Sequence, residues 1–124
     1  MYGARIRVII GLFASGEVRG IMDFANTNKV VIISPSSTSP LLAAPGYVFR
    51  VTPPDTFQGR VLTQLMNTLG IKKVAAIVRN DNYGRGLFEP FKAAFTQQYG
   101  SVVKEILYTA GQTDYASEVN RLSS

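Results

Sequence analysis

The sequence predicts an α/β fold with parallel sheets, and three observations lead to this prediction. Short apolar runs rich in β-branched residues alternate along the chain with longer segments of helical periodicity. The run at residues 30–34 begins with four consecutive β-branched residues, as in strands that lie between two layers of helices. Polar or glycine-containing loops follow several of these runs, at the edge where open α/β sheets bind ligands.

The composition excludes several classes of function. The chain has 124 residues, of which 46% are hydrophobic and 17% charged, and this is enough for one hydrophobic core. It contains neither cysteine nor histidine, so disulfides, Cys/His zinc sites and Ser-His-Asp triads are excluded. The net charge is +5, but the basic residues are scattered and do not predict a nucleic-acid surface.

The sequence shows no membrane or export segment. No apolar run approaches the length of a membrane span. Residues 1–5 lack the apolar core and the small-residue cleavage site of a secretory leader, so no signal peptide is predicted within this chain.

The first half of the chain is predicted to contain a βαβ unit and one further strand. The strands are expected at 6–10, 30–34 and 47–51, and the helix at 17–28. The apolar face of this helix repeats at helical spacing through Val18, Ile21, Met22 and Ala25. Ser15 is the expected N-cap. The two prolines at 53–54 break the last strand, and they are predicted to begin a stiff crossover to a second domain.

The second half is predicted to contain two strands, at 72–78 and 102–107, and three helices. The first of these helices begins at Asp55, with the residue types of an N-terminal capping box, and Gly70 closes it. Its apolar stripe is expected to be buried and consists of Phe57, Val61, Leu62, Leu65, Met66 and Leu69. Pro90 falls within the apolar pattern of the next helix, which either starts near Pro90 or is kinked there.

Three loops follow predicted strands and form candidate binding elements, at 11–17, 34–40 and 79–85. In the first, Ser15 and Gly16 lie at a helix N-terminus, where free N–H groups favour an anion. The second is rich in hydroxyl groups that together could hold a carboxylate, although such hydroxyls more often bond their own backbone. In the third, Tyr83 can cover an apolar side chain, and Asp81 is more often a helix cap than a cation ligand.

Five motifs occur along the chain in the following order: Val8-Ile9-Ile10-Gly11 with Ser15-Gly16-Glu17; Ile33-Ser34-Pro35-Ser36-Ser37-Thr38-Ser39-Pro40; Phe49-Arg50-Val51-Thr52-Pro53 with Asp55 and Gln58-Gly59; Asn80-Asp81-Asn82-Tyr83-Gly84-Arg85-Gly86; and Gly111-Gln112-Thr113-Asp114-Tyr115. In this order and spacing they resemble the leucine/isoleucine/valine-binding family of type I periplasmic solute-binding proteins, which serve ABC importers. The resemblance covers nearly the whole chain.

The resemblance implies two Rossmann-like lobes, each a parallel sheet with flanking helices, that clamp an amino acid between them. Residues 1–53 would form part of the first lobe and residues 54–124 part of the second. Family positions that hold the ligand carboxylate are matched by Ser15, Ser36, Ser37 and Thr38, and the second-lobe aromatic at the cleft is matched by Tyr83. The acidic residue that meets the ligand ammonium is expected after Ser124.

The resemblance also implies a non-catalytic receptor without a cofactor or metal, located in the periplasm or outside the cell. Its partners would be the amino acid and an ABC permease, and not nucleic acid. Members of the family are much longer than this chain. Portions of two sheets would expose edges and apolar faces, so we expect the chain alone to form a homodimer, swap domains or be weakly stable.

Two other classes of function remain open. The same lobes serve as ligand-sensing effector domains of receptors and of lac-repressor-type regulators, although no helix-turn-helix is visible in this sequence. An enzyme of flavodoxin-like build is the third class. The missing histidine, cysteine and phosphate-binding loop argue against it.

Overall fold

A computed structural model describes residues 5–98 and 100–123 and confirms the predicted α/β class. The strands form one three-stranded and one two-stranded sheet, and all the strand pairs are parallel. The elements occur in the order β1 (Val8–Ile10), α1 (Ser15–Asn28), β2 (Val31–Ser34), a 3-10 helix (Pro40–Leu42), β3 (Val48–Arg50), α2 (Asp55–Thr68), β4 (Lys73–Arg79), α3 (Asn82–Gln97), β5 (Ser101–Tyr108) and α4 (Ala116–Ser123). The prediction about a signal peptide concerns mainly residues 1–4, which lie outside the described residues.

The register of the first sheet brings the ends of its strands together. In this sheet β2 lies between β1 and β3, with Ile10 opposite Ile33 and Ser34 opposite Arg50. The N–H of Gly11 continues the pairing by donating to the carbonyl oxygen of Ile33 at 3.0 Å. The loops that follow β1 and β2 therefore leave the sheet side by side, as the parallel arrangement requires.

Helix α1 packs on this sheet through the face that its periodicity predicts. Val18, Met22 and Ala25 are buried, and they contribute to the core around the buried strand β2. The prediction that Ser15 is the N-cap is wrong, because Ala14 occupies that position and Ser15 is the first helical residue. The carboxylate of Glu17 instead accepts the N–H of Ala14 at 3.1 Å.

Helix α2 buries a different face from the one predicted. Its buried residues are Asp55, Gly59 and Thr63, and α3 comes so close that a Cβ at Gly59 would lie 2.7 Å from the backbone nitrogen of Phe91. Four residues of the predicted stripe are exposed to solvent: Phe57, Val61, Leu65 and Leu69. The capping box is also absent, since Pro54 is the N-cap and no side chain caps the helix. The prediction failed because periodicity shows which residues are apolar, but not what packs against them.

Helix α3 connects the two halves of the described chain. It runs without interruption from Asn82 to Gln97 with Pro90 inside it, and Asp81 caps it by accepting the N–H of Gly84 at 2.8 Å. It packs against α2, and also against α1 and the 3-10 helix. The loop before α3 is thereby held close to the first sheet. None of the helices in the described residues combines the length and the hydropathy of a membrane span.

Candidate functional site

A cavity of about 350 Å³ lies where loops from both sheets meet. This volume is within the range of small-molecule pockets in proteins. The cavity is lined by Phe13, Ala14, Ser15, Ser36, Thr38, Gln58, Arg79 and Tyr83. All but Gln58 belong to the three loops that the sequence places at the carboxyl ends of strands, so the fold brings these loops to one place.

Four of the six residues predicted to contact a ligand line this cavity, namely Ser15, Ser36, Thr38 and Tyr83. Gly16 is exposed on the first turn of α1, next to the buried Ser15. Ser37 is buried and lies outside the cavity lining. Ligand contact by these residues stays a prediction.

Hydroxyl groups of the second loop hold the first loop in place. The Oγ of Ser34 donates to the carbonyl oxygen of Leu12 at 2.7 Å, and the Oγ of Ser36 donates to that of Phe13 at 2.8 Å. Leu12 has a φ of +64°, which is unfavourable for a residue with a side chain. These bonds hold that conformation, which sets the position of the first turn of α1. The hydroxyls therefore bond the backbone of the neighbouring loop, and those of Ser34 and Ser39 also accept the N–H groups of Ser37 and Leu41 in their own segment.

The opposite side of the second loop is held by the segment that leads into α2. Three consecutive carbonyl oxygens, those of residues 37–39, each accept a bond from it. The donors are the Oγ1 of Thr52 at 3.2 Å, the backbone N–H of Asp55 at 2.9 Å and the Nη1 of Arg50 at 2.6 Å. Because the loop is bonded on both sides, its cavity-facing groups are fixed before any ligand arrives.

Ser15 places the positive end of α1 at the cavity. Its Oγ accepts the N–H of Ser39 at 3.3 Å, so its own proton remains available to another acceptor. The first N–H groups of a helix have no carbonyl partner in that helix, and the helix dipole adds positive potential there. The N–H groups of Ser15 and Gly16 are of this kind, so this wall of the cavity favours a negatively charged group.

The other wall carries Tyr83 and a positive charge. Among the described residues, Arg79 is the one charged residue that lines the cavity, and its Nε is paired with the carboxylate of Asp81. No acidic residue lines the cavity within the described residues. The charge of Arg79 is therefore partly balanced by Asp81, and on the opposite wall the carboxylate of Glu17 accepts the N–H groups of Phe13 and Ala14.

Asp55 lies directly behind the cavity. Its carboxylate Oδ2 accepts the Oγ1–H of Thr38 at 2.9 Å, and the residue is only 1% exposed. Burial raises the pKa of the Asp55 carboxyl above its usual range, whereas the hydrogen bond from Thr38 and the charge of Arg50 lower this pKa. The hydroxyl proton of Thr38 thus points to Asp55 and away from the cavity.

The sequence did not identify four of the lining residues, which are Phe13, Ala14, Gln58 and Arg79. Three of them belong to the predicted loops. Phe13 is an apolar residue in a loop that contains glycine and serine, and this could have indicated that it contacts a ligand. Gln58 was assigned to a capping box that the structure does not contain.

The full chain, residues 1–124, matches the family described as the receptor family ligand binding region. The chain belongs to this family. It is 32% identical, over 98% of its length, to Leu/Ile/Val-binding protein homolog 3 of Brucella melitensis, and 37% identical, over 94%, to an uncharacterised protein of Methanocaldococcus jannaschii. It spans about a third of the length of these two relatives, 34% and 30% respectively.

Solved structures show the same fold. A leucine-binding protein from Thermotoga maritima superposes with a TM-score of 0.88 at 30% identity, over 97% of this chain and 35% of that one. A substrate-binding protein from Desulfitobacterium hafniense in complex with Leu gives a TM-score of 0.73 at 28% identity, over 95% and 35%. The predicted type I periplasmic-binding-protein fold is therefore confirmed, and the chain covers a part of it.

Proposed function

We propose that this chain is part of the solute-binding receptor of an ABC importer, and that it binds an amino acid such as a branched-chain one, or a related small carboxylate. The ligand occupies the 350 Å³ cavity. The role is binding, and no reaction is proposed.

One observation carries this proposal. Loops from both sheets line one cavity that combines the N-terminus of α1, an arginine and an exposed aromatic ring, and no acidic residue of the described chain lines it. A carboxylate fits the first turn of α1, where Ser15 and Gly16 offer N–H groups. The aromatic surfaces of Phe13 and Tyr83 suit an apolar side chain. Leu/Ile/Val-binding proteins among the relatives support this choice of ligand.

The two sheets support a division into two lobes. The strands up to Arg50 form one sheet and those from Lys73 form the other. We propose that residues 1–53 contribute to the first lobe and residues 54–124 to the second, with the ligand between them. A receptor of this kind works outside the cytoplasm and hands its ligand to a permease, which is the partner that we propose.

Calorimetric titration tests the proposal. The chain is titrated with L-leucine, L-isoleucine, L-valine, L-glutamate and benzoate, and the same titrations are made on any longer protein that contains the chain. We expect at least one of the aliphatic amino acids to bind saturably, and we expect the other aliphatic amino acids to compete with it. Absence of binding by both proteins to the whole panel would contradict the proposal. Bound flavin or nucleotide released from the purified protein would favour an enzyme instead.

A further inference from the structure

A separate cavity of about 390 Å³ lies between α4 and the second sheet. This α4 cavity is lined by Ile77, Tyr108, Tyr115 and Glu118, and none of these residues lines the 350 Å³ cavity. We propose that the α4 cavity binds a small organic cation, an alkylammonium ion. The proposed site shares no lining residue with the proposed amino acid site, so the inference goes beyond the proposed function and does not rest on it.

Two tyrosine rings form one corner of the α4 cavity. Tyr108 is the last residue of β5, and Tyr115 directly precedes α4. Their ring centroids are 5.2 Å apart and the ring planes meet at 86°. The faces of aromatic rings carry negative partial charge and attract a cation that comes within about 6 Å of the ring centroid. The corner therefore offers a cation aromatic surface from two directions.

Glu118 adds a negative charge to the same cavity. The residue is only 8% exposed, and glutamate side chains are seldom buried to this extent without a partner of opposite charge. Its Oε2 accepts the Oγ–H of Ser117 at 2.6 Å. None of the ion pairs among the described residues includes Glu118. A cation bound in the cavity would supply the missing counter-charge.

The position of Glu118 in the helix does not account for its burial. Glu118 lies in the first turn of α4, where a negative charge interacts favourably with the helix dipole, but an exposed carboxylate would have the same effect. It is not needed as a cap either, because Oδ1 of Asp114 accepts the N–H of Ala116 at 2.8 Å. Since burial of an unpaired charge is unfavourable, it favours a function at the cavity.

The remaining groups around the α4 cavity also suit an alkylammonium ion. No basic residue of the described chain lines it. Arg79 lies opposite Tyr108 in the ladder between β4 and β5, but its Nε is paired with the carboxylate of Asp81. Ile77 contributes an apolar surface that can contact the methyl or methylene groups of the cation. Aromatic rings, one carboxylate and no basic group together favour a cation over an anion.

The first arm of the test compares choline with dimethylbutanol, its uncharged isostere in which carbon replaces nitrogen. Each probe is titrated into the isotope-labelled chain, and the backbone amide shifts of the four lining residues are followed. We expect choline to shift these amides saturably and to bind at least roughly tenfold more tightly than dimethylbutanol. Equal affinities of the two probes, or no shift of these amides with choline, would overturn the inference.

The second arm uses variants of the lining residues. Glu118→Gln removes the charge but keeps the shape, and it is expected to weaken choline binding roughly tenfold without affecting dimethylbutanol. Glu89→Gln, at an exposed residue of α3, makes the same change in net charge and should leave the choline affinity unaltered. Tyr115→Phe keeps the aromatic ring and should keep the affinity, whereas Tyr115→Leu should lower it. If Glu118→Gln binds choline as tightly as the wild type, the inference is wrong.

Two further measurements keep the test decisive. Should Glu118→Gln or Tyr115→Leu fail to fold, as judged by circular dichroism, the comparison of the two probes in the wild type still decides. The choline titration is also repeated at saturating L-leucine, and we expect an unchanged choline affinity because the two cavities share no lining residue. Competition between L-leucine and choline would place the cation in the 350 Å³ cavity and would contradict the inference, while leaving the proposed function intact.

Discussion

Gly86 of α3 lies directly against Ser39 of the second loop. A Cβ at position 86 would come within 2.5 Å of the Ser39 Oγ, and Ser39 is fully buried. Only glycine leaves room for α3 to approach this loop so closely. Since Tyr83 lies one turn earlier on α3, the contact also sets how far Tyr83 stands from the hydroxyl groups across the cavity.

Gly86→Ala is therefore expected to destabilise the chain by about 1–3 kcal/mol, because the added methyl group must displace buried atoms. Gly20→Ala in α1 is the matched control, since a Cβ there meets nothing within 4 Å. That substitution is expected to stabilise the chain by roughly 0.5–1 kcal/mol through helix propensity. Urea denaturation measures both effects. Equal effects of the two variants would show that the approach of α3 is not restricted by Ser39.

The buried carboxyl of Asp55 makes stability depend on pH. Its pKa is raised above the ordinary value of 3.8, chiefly by burial, so the folded chain binds this proton more tightly than the unfolded chain. The contribution of this carboxyl to the free energy of unfolding is therefore largest below about pH 3.8, and it is lost as the pH rises through the raised pKa. Relative to Asp55→Asn, the wild type should lose stability as the pH increases.

Denaturation series from about pH 4 to about pH 8 measure this difference for the wild type and Asp55→Asn. Asp23→Asn, at an exposed carboxylate on α1, is the control that is measured in the same series. If the wild type gained stability relative to Asp55→Asn as the pH rises, Thr38 and Arg50 would lower the pKa of Asp55 more than burial raises it.

Thr38→Ala tests the hydroxyl that lines the cavity. Its loss should weaken amino acid binding by about 1–3 kcal/mol, because a hydrogen bond to a charged ligand group is removed. Thr68→Ala removes a hydroxyl from the exposed face of α2 and should leave the affinity unchanged. Calorimetry at matched protein concentrations gives both values. An unaltered affinity in Thr38→Ala would remove this residue from the site.

Tyr83→Ala tests recognition of the ligand side chain. The ring lines the cavity and is 42% exposed, so it is free to cover an apolar group. We expect the affinity for L-leucine to fall more than that for L-alanine, and Tyr83→Phe to keep most of the preference. If the ratio of the two affinities does not change, Tyr83 serves only in packing.

The order of helices and strands could be predicted from the sequence, because periodicity and turn residues are local signals. The predictions that were wrong concern contacts between segments that are distant in the sequence. Ser15 and Asp55 both have side chains that suit an N-cap, yet each bonds the second loop instead. Arg79 and Gln58 could not be assigned to the cavity, since neither the end of a strand nor the first turn of a helix shows in the sequence which side chains face a neighbouring element. The three cavity loops themselves were predictable from parallel-sheet geometry.

The exposed apolar stripe of α2 bears on association of the chain. Phe57, Val61, Leu65 and Leu69 are between 47% and 61% exposed. A contiguous apolar face of this kind favours self-association. We expect gel filtration at rising concentration to show species larger than the monomer, and Val61→Lys combined with Leu65→Lys to reduce them. A compact monomer with a sharp unfolding transition would contradict the expectation.

Chemical-shift mapping of the isotope-labelled chain with L-leucine tests the central claim most directly, because it reports on both walls of the cavity at once. If one small carboxylate binds between the loops of the two sheets, the backbone amides of Ser15, Gly16, Thr38 and Tyr83 should all shift with a single dissociation constant. No shift at these four amides, or shifts confined to the loops of one sheet, would contradict the proposed binding site.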